Sequence, residues 1–402
     1  MNLLKEGIEQ RAVEKTAMTR KVTLDGITKP YPVYKVKLDW LFYNDQNDRI
    51  ATWISQYKAQ NGGKTPDPAE REAYNEIIEK FIVESNPEAI KKTQANIGLV
   101  DQREPGVVLA DGRIIDGNRR FTCLRRLSKN SEKYGWFETV ILDRNVEHNA
   151  KQIKMLELSI QHGEESKVDY NPIDRLVGIY NDIVRTFLLT EEEYARSTNE
   201  SLSTVRQRVE VAKLMVEFLE FINAPEQYHI ARDLQVSFPL EELVKLLKKC
   251  RTEDEQEDLK ISVFNNILMQ TTTDMGRFIR NFKAVIGTDY QEEFLEEQKE
   301  LAAQTLETLP PVGQMSTAII RESIRTNEDL HQQMERSVEK VMTKVKKNEA
   351  HNRPIQLAEK ATTFLESMDQ NVLLKMNDSE LRRLARQLDR LEEIICQIRE
   401  NL

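Results

Sequence analysis

The spacing of apolar residues changes character near residue 150. Upstream, strand-like and helix-like runs alternate. "YPVYKVKLDWLF" is aromatic and β-branched, with Val33, Tyr34, Val36 and Leu38 close together, and reads as a strand. "RIATWISQYKAQ" places Ile50, Trp53, Ile54 and Tyr57 at helical spacing. The loop "NGGKTPDP" follows, then a helix from Ala69 to Glu84 with Tyr74, Ile77, Ile78, Phe81 and Ile82 on one face. A shorter helical piece carries "PEAIKKTQANIG". "GVVLADGRIIDG" reads as a hairpin: strand Val107–Leu109, an Asp111-Gly112 turn, strand Arg113–Ile115. "NRRFTCLRRLSKN" is a helix with Phe121, Leu124 and Leu127 inward and Arg125 and Arg126 on its solvated side, and "FETVILDR" is one more strand. Residues 31–150 thus form a small mixed α/β domain, preceded by a polar N-terminal arm over 1–30 with one short helix.

From residue 151 onward every periodic run is helical. Asn171 is placed as the N-cap, and Pro172 as the first turn, of the helix through "DRLVGIYNDIVRTF". Thr190 and Glu193 have capping-box spacing. Helices continue over 239–345, with breaks expected at "TLPPVG" and in "KKNEAHNRP". Leu381, Leu384, Leu388, Leu391, Ile395, Ile398 and Leu402 alternate steps of three and four, an a/d seam. The seam is either one arm of a hairpin packed on Ile355–Met368 or a homodimer contact. The fold class is therefore α+β: the mixed domain, an all-α region over 151–235, a helical domain over 236–345, and a hairpin or coiled coil over 346–402.

Composition narrows this further. The chain has 402 residues, 39% hydrophobic and 31% charged, with 14 Gly and 12 Pro, which suits long helices better than many-stranded β folds. No apolar run approaches the roughly 18 residues of a membrane span, and "MNLLKEGIEQ" puts charges where a signal peptide needs its apolar core. Cys123, Cys250 and Cys396 lie too far apart for a C-x-x-C pair or a disulfide framework, so a reducing cytoplasm is expected and a zinc site is not. A net charge of −9 argues against indiscriminate coating of nucleic acid, yet leaves room for a local basic surface.

Chemistry concentrates in "DGRIIDGNRRFTCLRRL". Gly117 permits close approach of backbone to a ligand, a helix begins directly after it, and Arg119 and Arg120 supply forked donors. On residue chemistry alone this is either a phosphate cradle or a charged turn capped by Asp116 or Asn118. The surrounding order adds to it. "NDQNDR" ending in Arg49, then "TQANIG", then "DGRIIDGNRR" resembles the N-terminal domain of the ParB/sulfiredoxin-like family. That resemblance implies that Gly117, Asn118, Arg119 and Arg120, with Arg49, contact the phosphates of a nucleoside triphosphate, CTP or ATP. Downstream, "ELSIQHGEESKVDYNPID" is similar to the family stretch that helps hold phosphates and Mg²⁺, with Gln161 and Asn171 to Asp174 matching. Ser159 and His162 depart from that pattern, and Glu157 fills the metal-binding position only if it slides into register. Hydrolysis is accordingly expected to be weak or absent.

"EEEYARSTNESLSTVRQRV" has Ala195, Asn199 and Val205 at helix-turn-helix offsets, with Ser201 capping the second helix. Ser203, Thr204, Arg206, Gln207 and Arg208 would reach DNA. The resemblance supports that order, because ParB proteins carry a helix-turn-helix there. The acidic surroundings, Glu191 to Glu193, Glu200 and Glu210, leave open a helix-turn-helix that binds DNA weakly or not at all. No Ser/His/Asp order, H-E-x-x-H or P-loop pattern occurs. His162 beside Glu164 and Glu165 is either a base or a solvated helix end, and Cys123 reads as a core residue. The functional expectation is a ParB-like, nucleotide-responsive DNA-binding protein, dimeric through its C-terminal helices, with a possible partner protein. The alternatives are an enzyme on the same fold (NTPase, kinase or nuclease) and a helical interaction scaffold with a relic ParB fold.

Overall fold

The chain enters the fold as a long antiparallel hairpin, β1 (Val13–Leu24) against β2 (Ile27–Lys37). The computed structural model describes residues 2–24, 26–144, 146–163 and 171–401, in two compact units, 1–338 and 339–402. The arm expected over residues 1–30 has its one short helix, a π-helical turn at Leu3–Gly7, but continues into β1 and the start of β2 rather than staying outside the sheet. Only Val13 and Val22 of β1 are buried, so no alternation of apolar and polar positions marks it. Its pairing rests on backbone hydrogen bonds to β2.

After β2 come β3 (Phe42–Tyr43), a 3₁₀ turn at Asp48–Ile50, α1 (Ala51–Gln60), α2 (Arg71–Ser85) and α3 (Pro87–Val100). Then follow β4 (Gly106–Leu109), β5 (Arg113–Asp116), α4 (Asn118–Ser128), β6 (Trp136–Leu142) and α5 (Val146–Gly163). The strands form one six-stranded mixed sheet in the order β1-β2-β6-β4-β5-β3. β4 and β5 make the expected hairpin about Gly112, while β4–β6 and β3–β5 pair in parallel. The sheet separates two apolar clusters. One joins Val36, Phe42, Tyr43, Val108 and Phe137 to side chains of α2, α3 and α4; the other joins Val33, Val107, Ile115 and Val140 to Ile153, Leu156 and Ile160 of α5. Arg125, expected on the solvated side of α4, is buried, because α2 lies across it and supplies Glu79 and Glu72, each 2.9 Å away. Arg126 is exposed and donates to Gln94.

The rest of the first unit is helical among the described residues: α6 (Pro172–Ile179), continued by a π-turn Tyr180–Arg185, α7 (Glu191–Thr198), α8 (Leu202–Phe221), α9 (Tyr228–Asp233), α10 (Ser237–Leu247), α11 (Glu253–Met269), α12 (Met275–Asn281), α13 (Gln291–Glu307) and α14 (Thr317–Ile319), which runs into a π-turn Ile320–Ile324. Asn171 caps α6 with Pro172 in its first turn, and Thr190 and Glu193 close a capping box on α7. α15 (Glu328–Glu366) continues through "KKNEAHNRP", where a break was expected, with Pro354 inside it. A proline removes one helical hydrogen bond, but 39 residues of helix carry the rest.

The second unit contains α16 (Gln370–Leu373) and α17 (Asp378–Glu400), the latter with a capping box from Asn377 and Glu380. Leu381, Leu388, Ile395 and Ile398 of its seam are exposed, as are Ile355, Leu357 and Phe364, while Leu384 and Leu391 are half-buried, so among the described residues these four seam positions are left open. Leu402 lies outside the described residues. No described helix is long and apolar enough to cross a membrane.

The helices join the sheet domain through a tight contact. A Cβ on Gly178 of α6 would lie 2.5 Å from the carboxyl carbon of Asp48, which is buried and ion-paired. Gly178→Ala should therefore cost about 1–3 kcal/mol, in the range of core overpacking. Thermal unfolding of the variant checks this; an unchanged midpoint would refute the close approach.

Candidate anion-binding cleft

The Asp111-Gly112 turn sets up the site. Gly112 has φ +94°, and Asp111 Oδ1 accepts from the Arg113 amide at 2.9 Å. β5 then delivers the chain to Gly117, at φ +99°, where a Cβ would come within 2.8 Å of the Phe137 ring. The position is closed to larger residues by both conformation and space. α4 starts at the next residue, and no side chain caps it. The first amides of a helix have no intrahelical acceptor and carry the positive end of its dipole, so an uncapped N-terminus favours an anion.

A cleft of about 270 Å³ opens in front of this turn. Gly117, Asn118, Arg119, Arg120, Arg49 and Gln161 all line it. They come from three places in the chain: the β5–α4 turn, the 3₁₀ turn after β3, and the C-terminal end of α5. The loop 101–104 and the facing ends of α2 and α3, including Asn86, Thr93 and Asn96, complete the wall.

The arginine pair divides its labour. Arg120 donates Nη2 to Asp116 Oδ2 at 3.1 Å and Nη1 to the Glu104 carbonyl at 2.9 Å. Asp116 also accepts from Arg20 of β1 at 2.8 Å, and the same Arg20 nitrogen reaches the Pro105 carbonyl at 2.6 Å. Arg120 is thus a strut between α4 and the loop, whereas Arg119 lines the cleft from the adjacent position. Arg49 stands on a turn capped by Asn47, whose Oδ1 accepts the Arg49 amide at 3.1 Å. Two amide oxygens at the cleft, Asn118 Oδ1 and Gln161 Oε1, are buried without a hydrogen-bond partner. Buried acceptors in native proteins almost always find a donor, and a sugar hydroxyl, an amine or a metal-bound water supplies one. The donor set therefore fits a nucleotide: cations and helix amides for phosphate, amide oxygens for hydroxyl or water.

Glu157 does not reach the cleft as a metal ligand would. Its side chain is 2% exposed, accepts from Gln161 Nε2 at 3.0 Å, and sits 3.5 Å from Asn44 Nδ2. It belongs to a buried cluster in which Lys154 Nζ lies 2.7 Å from Asp48 and 3.4 Å from Asp182. Burial pushes the Glu157 and Asp182 carboxyls up, against the pull of Lys154. Burial works against the charge of Lys154, but Asp48, Glu157 and Asp182 outweigh it and hold the ammonium well above its ordinary range. No group of three or more His, Cys, Asp or Glu among the described residues has metal-site geometry. Glu164 and Glu165 lie outside the described residues, as does the side chain of His162. Cys123 is buried against the Ile90 carbonyl, and burial raises its thiol to about 11, which suits a core residue.

On α8, Ser201 caps the helix, Asn199 turns the chain at φ +54°, and Ala195 and Val205 are buried between α7 and α8. Ser203, Arg206 and Gln207 are exposed; Thr204 and Arg208 are half-buried. Arg206 pairs with Glu191 at 2.8 Å and Glu192 at 3.7 Å, while Arg208 and Arg175 share Glu200. The cations of this surface are thus neutralised by carboxylates of the same two-helix unit. The sequence reading named Arg119 and Arg49 but missed Asn47, Gln102 and Arg20. Asn47 stands inside the "NDQNDR" stretch and was legible there; Arg20 lies 96 residues from Asp116, with no local signal.

No family model and no curated protein matches the chain. A solved structure of a Pnob8-like ParB-N domain overlays 67% of this chain and 97% of its own, at 13% identity and a TM-score of 0.38.

Asp174 ties this site to the helices. Its Oδ1 accepts the Thr52 amide at 2.9 Å, and burial lifts its carboxyl to about 7. The unfolded value is near 4, so the folded protein binds the proton more tightly between those limits. That contribution to stability is present below about pH 4 and is lost as pH rises through 7. Asp174→Asn should flatten the fall in melting temperature between pH 5 and pH 8, measured against the parent chain in the same buffers.

Proposed function

We propose that the chain is a ParB-like protein that seats the phosphates of a nucleoside triphosphate, CTP or ATP, on the N-terminus of α4 and answers through its helical half. The observation that carries this reading is the convergence of Arg49, Gly117 to Arg120 and Gln161 on one cleft at an uncapped helix start. Arg119 and Arg49 are the cations for the phosphates; Arg120 holds the loop. The Arg49 turn is packed under α6 through Asp48 and Gly178 and through Thr52 and Asp174, so a phosphate that draws Arg49 inward biases the packing of α6. Asp116 is engaged by two arginines and Glu157 is buried, which supports binding with little or no turnover.

DNA contact is assigned to α8, through Ser203, Thr204, Arg206, Gln207 and Arg208. The ion pairs of Arg206 and Arg208 favour a second reading, in which the same cleft switches an interaction surface and no DNA is bound. Duplex binding at low salt separates the two, because phosphate contacts weaken steeply with added salt. If α8 binds DNA, Arg206→Ala lowers duplex affinity about tenfold at low salt and makes its salt dependence shallower.

Arg119→Ala should abolish nucleotide binding in calorimetry, a loss of at least about tenfold, consistent with removal of a charge-assisted phosphate contact. The fold should remain intact by circular dichroism. A folded variant with unchanged nucleotide affinity would sink the site assignment. The exposed seam of α17 is assigned to a second copy of the chain. Leu388→Lys with Ile395→Lys should convert a dimer to a monomer in sedimentation, and a parent chain that sediments as a monomer would refute that assignment.

A further inference from the structure

A second cavity, about 420 Å³, lies in the helical region, where α9, α10, α11 and α12 meet the π-turn after α14. Arg321 and Arg325 stand on its wall, one helical turn apart on the same face. Arg325 is half-buried and spends its donors on neutral oxygens: Nε to Leu268 O at 2.9 Å, Nη2 to Ile267 O at 3.3 Å, and Nη1 to Gln270 Oε1. Among the described residues it has no carboxylate partner. Arg321 is exposed and has no hydrogen bond or ion pair among the described residues. Burial, and then the charge of Arg321, lower the Arg325 guanidinium to about 10, so Arg325 remains cationic at neutral pH.

Two like charges at this spacing repel, and a desolvated cation without a counter-ion is costly. The carboxylates on the cavity wall are engaged elsewhere. Asp233 accepts from Arg232 at 3.1 Å and from Thr317 at 3.0 Å, and Asp274 caps α12 through the Arg277 amide at 2.9 Å. The wall also holds Gln235 and Gln270 at φ +55° and +52°, a left-handed conformation that is strained for a non-glycine residue. Phe238 shares the cavity wall, exposed and pressed onto Gly276, where a Cβ would sit 2.0 Å from its ring, and the Arg280 guanidinium lies 5.7 Å from the ring centroid. An apolar ring on the same wall as two guanidinium groups suits an organic phosphate better than a bare ion.

We propose that this cavity is a second anion site, distinct from the α4 cleft, in which Arg321 and Arg325 grip a phosphate group. The phosphate is that of a free phosphorylated small molecule or of a nucleic-acid backbone; both present the same oxygens to a forked donor. The test uses the full chain carrying Arg119→Ala, so that the α4 cleft is disabled. Inorganic pyrophosphate is titrated in one arm and a short DNA duplex at low salt in the other. Adding Arg321→Ala should weaken at least one of them roughly tenfold. Loss in the pyrophosphate arm assigns the site to a free phosphate, and loss in the duplex arm alone assigns it to a backbone. Affinities unmoved by Arg321→Ala in both arms, or no binding in either, would overturn the proposal. Because Arg321 is exposed and unpaired, the variant should fold. Protection of Arg321 from phenylglyoxal by the same probes, read by peptide mass in the Arg119→Ala chain, gives the same answer without the Arg321 substitution.

Discussion

The Lys154–Asp48 ion pair is the contact on which the arrangement of this protein depends. It is buried, it joins α5 to the turn after β3, and it draws in Asp182 from the helical region. A buried ammonium is tolerable only with carboxylates around it, and a lone buried carboxylate would be as costly. The pair therefore locks three segments that are distant in sequence. Arg49 is the residue after Asp48, and Gln161 is tied to Glu157 within the same cluster. Two of the cleft's walls are thus set by one electrostatic knot. Removing Lys154 leaves Asp48 and Asp182 buried without the ammonium that pairs with both, so the Arg49 turn and the helical region are coupled through one side chain.

The same logic separates the two arginines of the "GNRR" turn. Adjacent helical residues point about 100° apart, so Arg119 and Arg120 cannot serve one ligand in the same way. Arg120 is captured by Asp116 and the Glu104 carbonyl, with Arg20 completing the carboxylate's partners. The cleft is therefore asymmetric: Arg120 braces its wall, and Arg119 lines it from the adjacent position. On α8, carboxylates instead cover the cations, which makes DNA contact conditional on breaking ion pairs. Exposed pairs of that type are weak, so the barrier is modest.

Much of the fold was legible because local signals agreed with tertiary demand. The hairpin at Asp111-Gly112, the capping boxes at Thr190 and Asn377, and the proline-led start of α6 are each specified by adjacent residues. The glycine turn at Gly117 and the helix start behind it were legible for the same reason, since they are contiguous. What escaped was non-local. β1 has no apolar face and exists because β2 offers it a backbone edge. Arg125 became a core residue only because α2 crosses α4 with two carboxylates. Glu157, a metal-binding candidate through the resemblance alone, is buried and accepts a hydrogen bond from Gln161.

The sequence by itself determined the local conformations: where helices start, where the chain must turn through positive φ, and which residue types cluster behind the turn. Those depend on interactions within a few residues, which the order of side chains specifies directly. Only the tertiary structure decided which charges are spent on the protein and which face a ligand. Arg120, Arg125 and Arg321 are indistinguishable as letters. Their roles follow from burial and from the groups packed against them: Arg120 is held by Asp116 four residues away, Arg125 by Glu79 and Glu72 of α2, and Arg321 stands exposed.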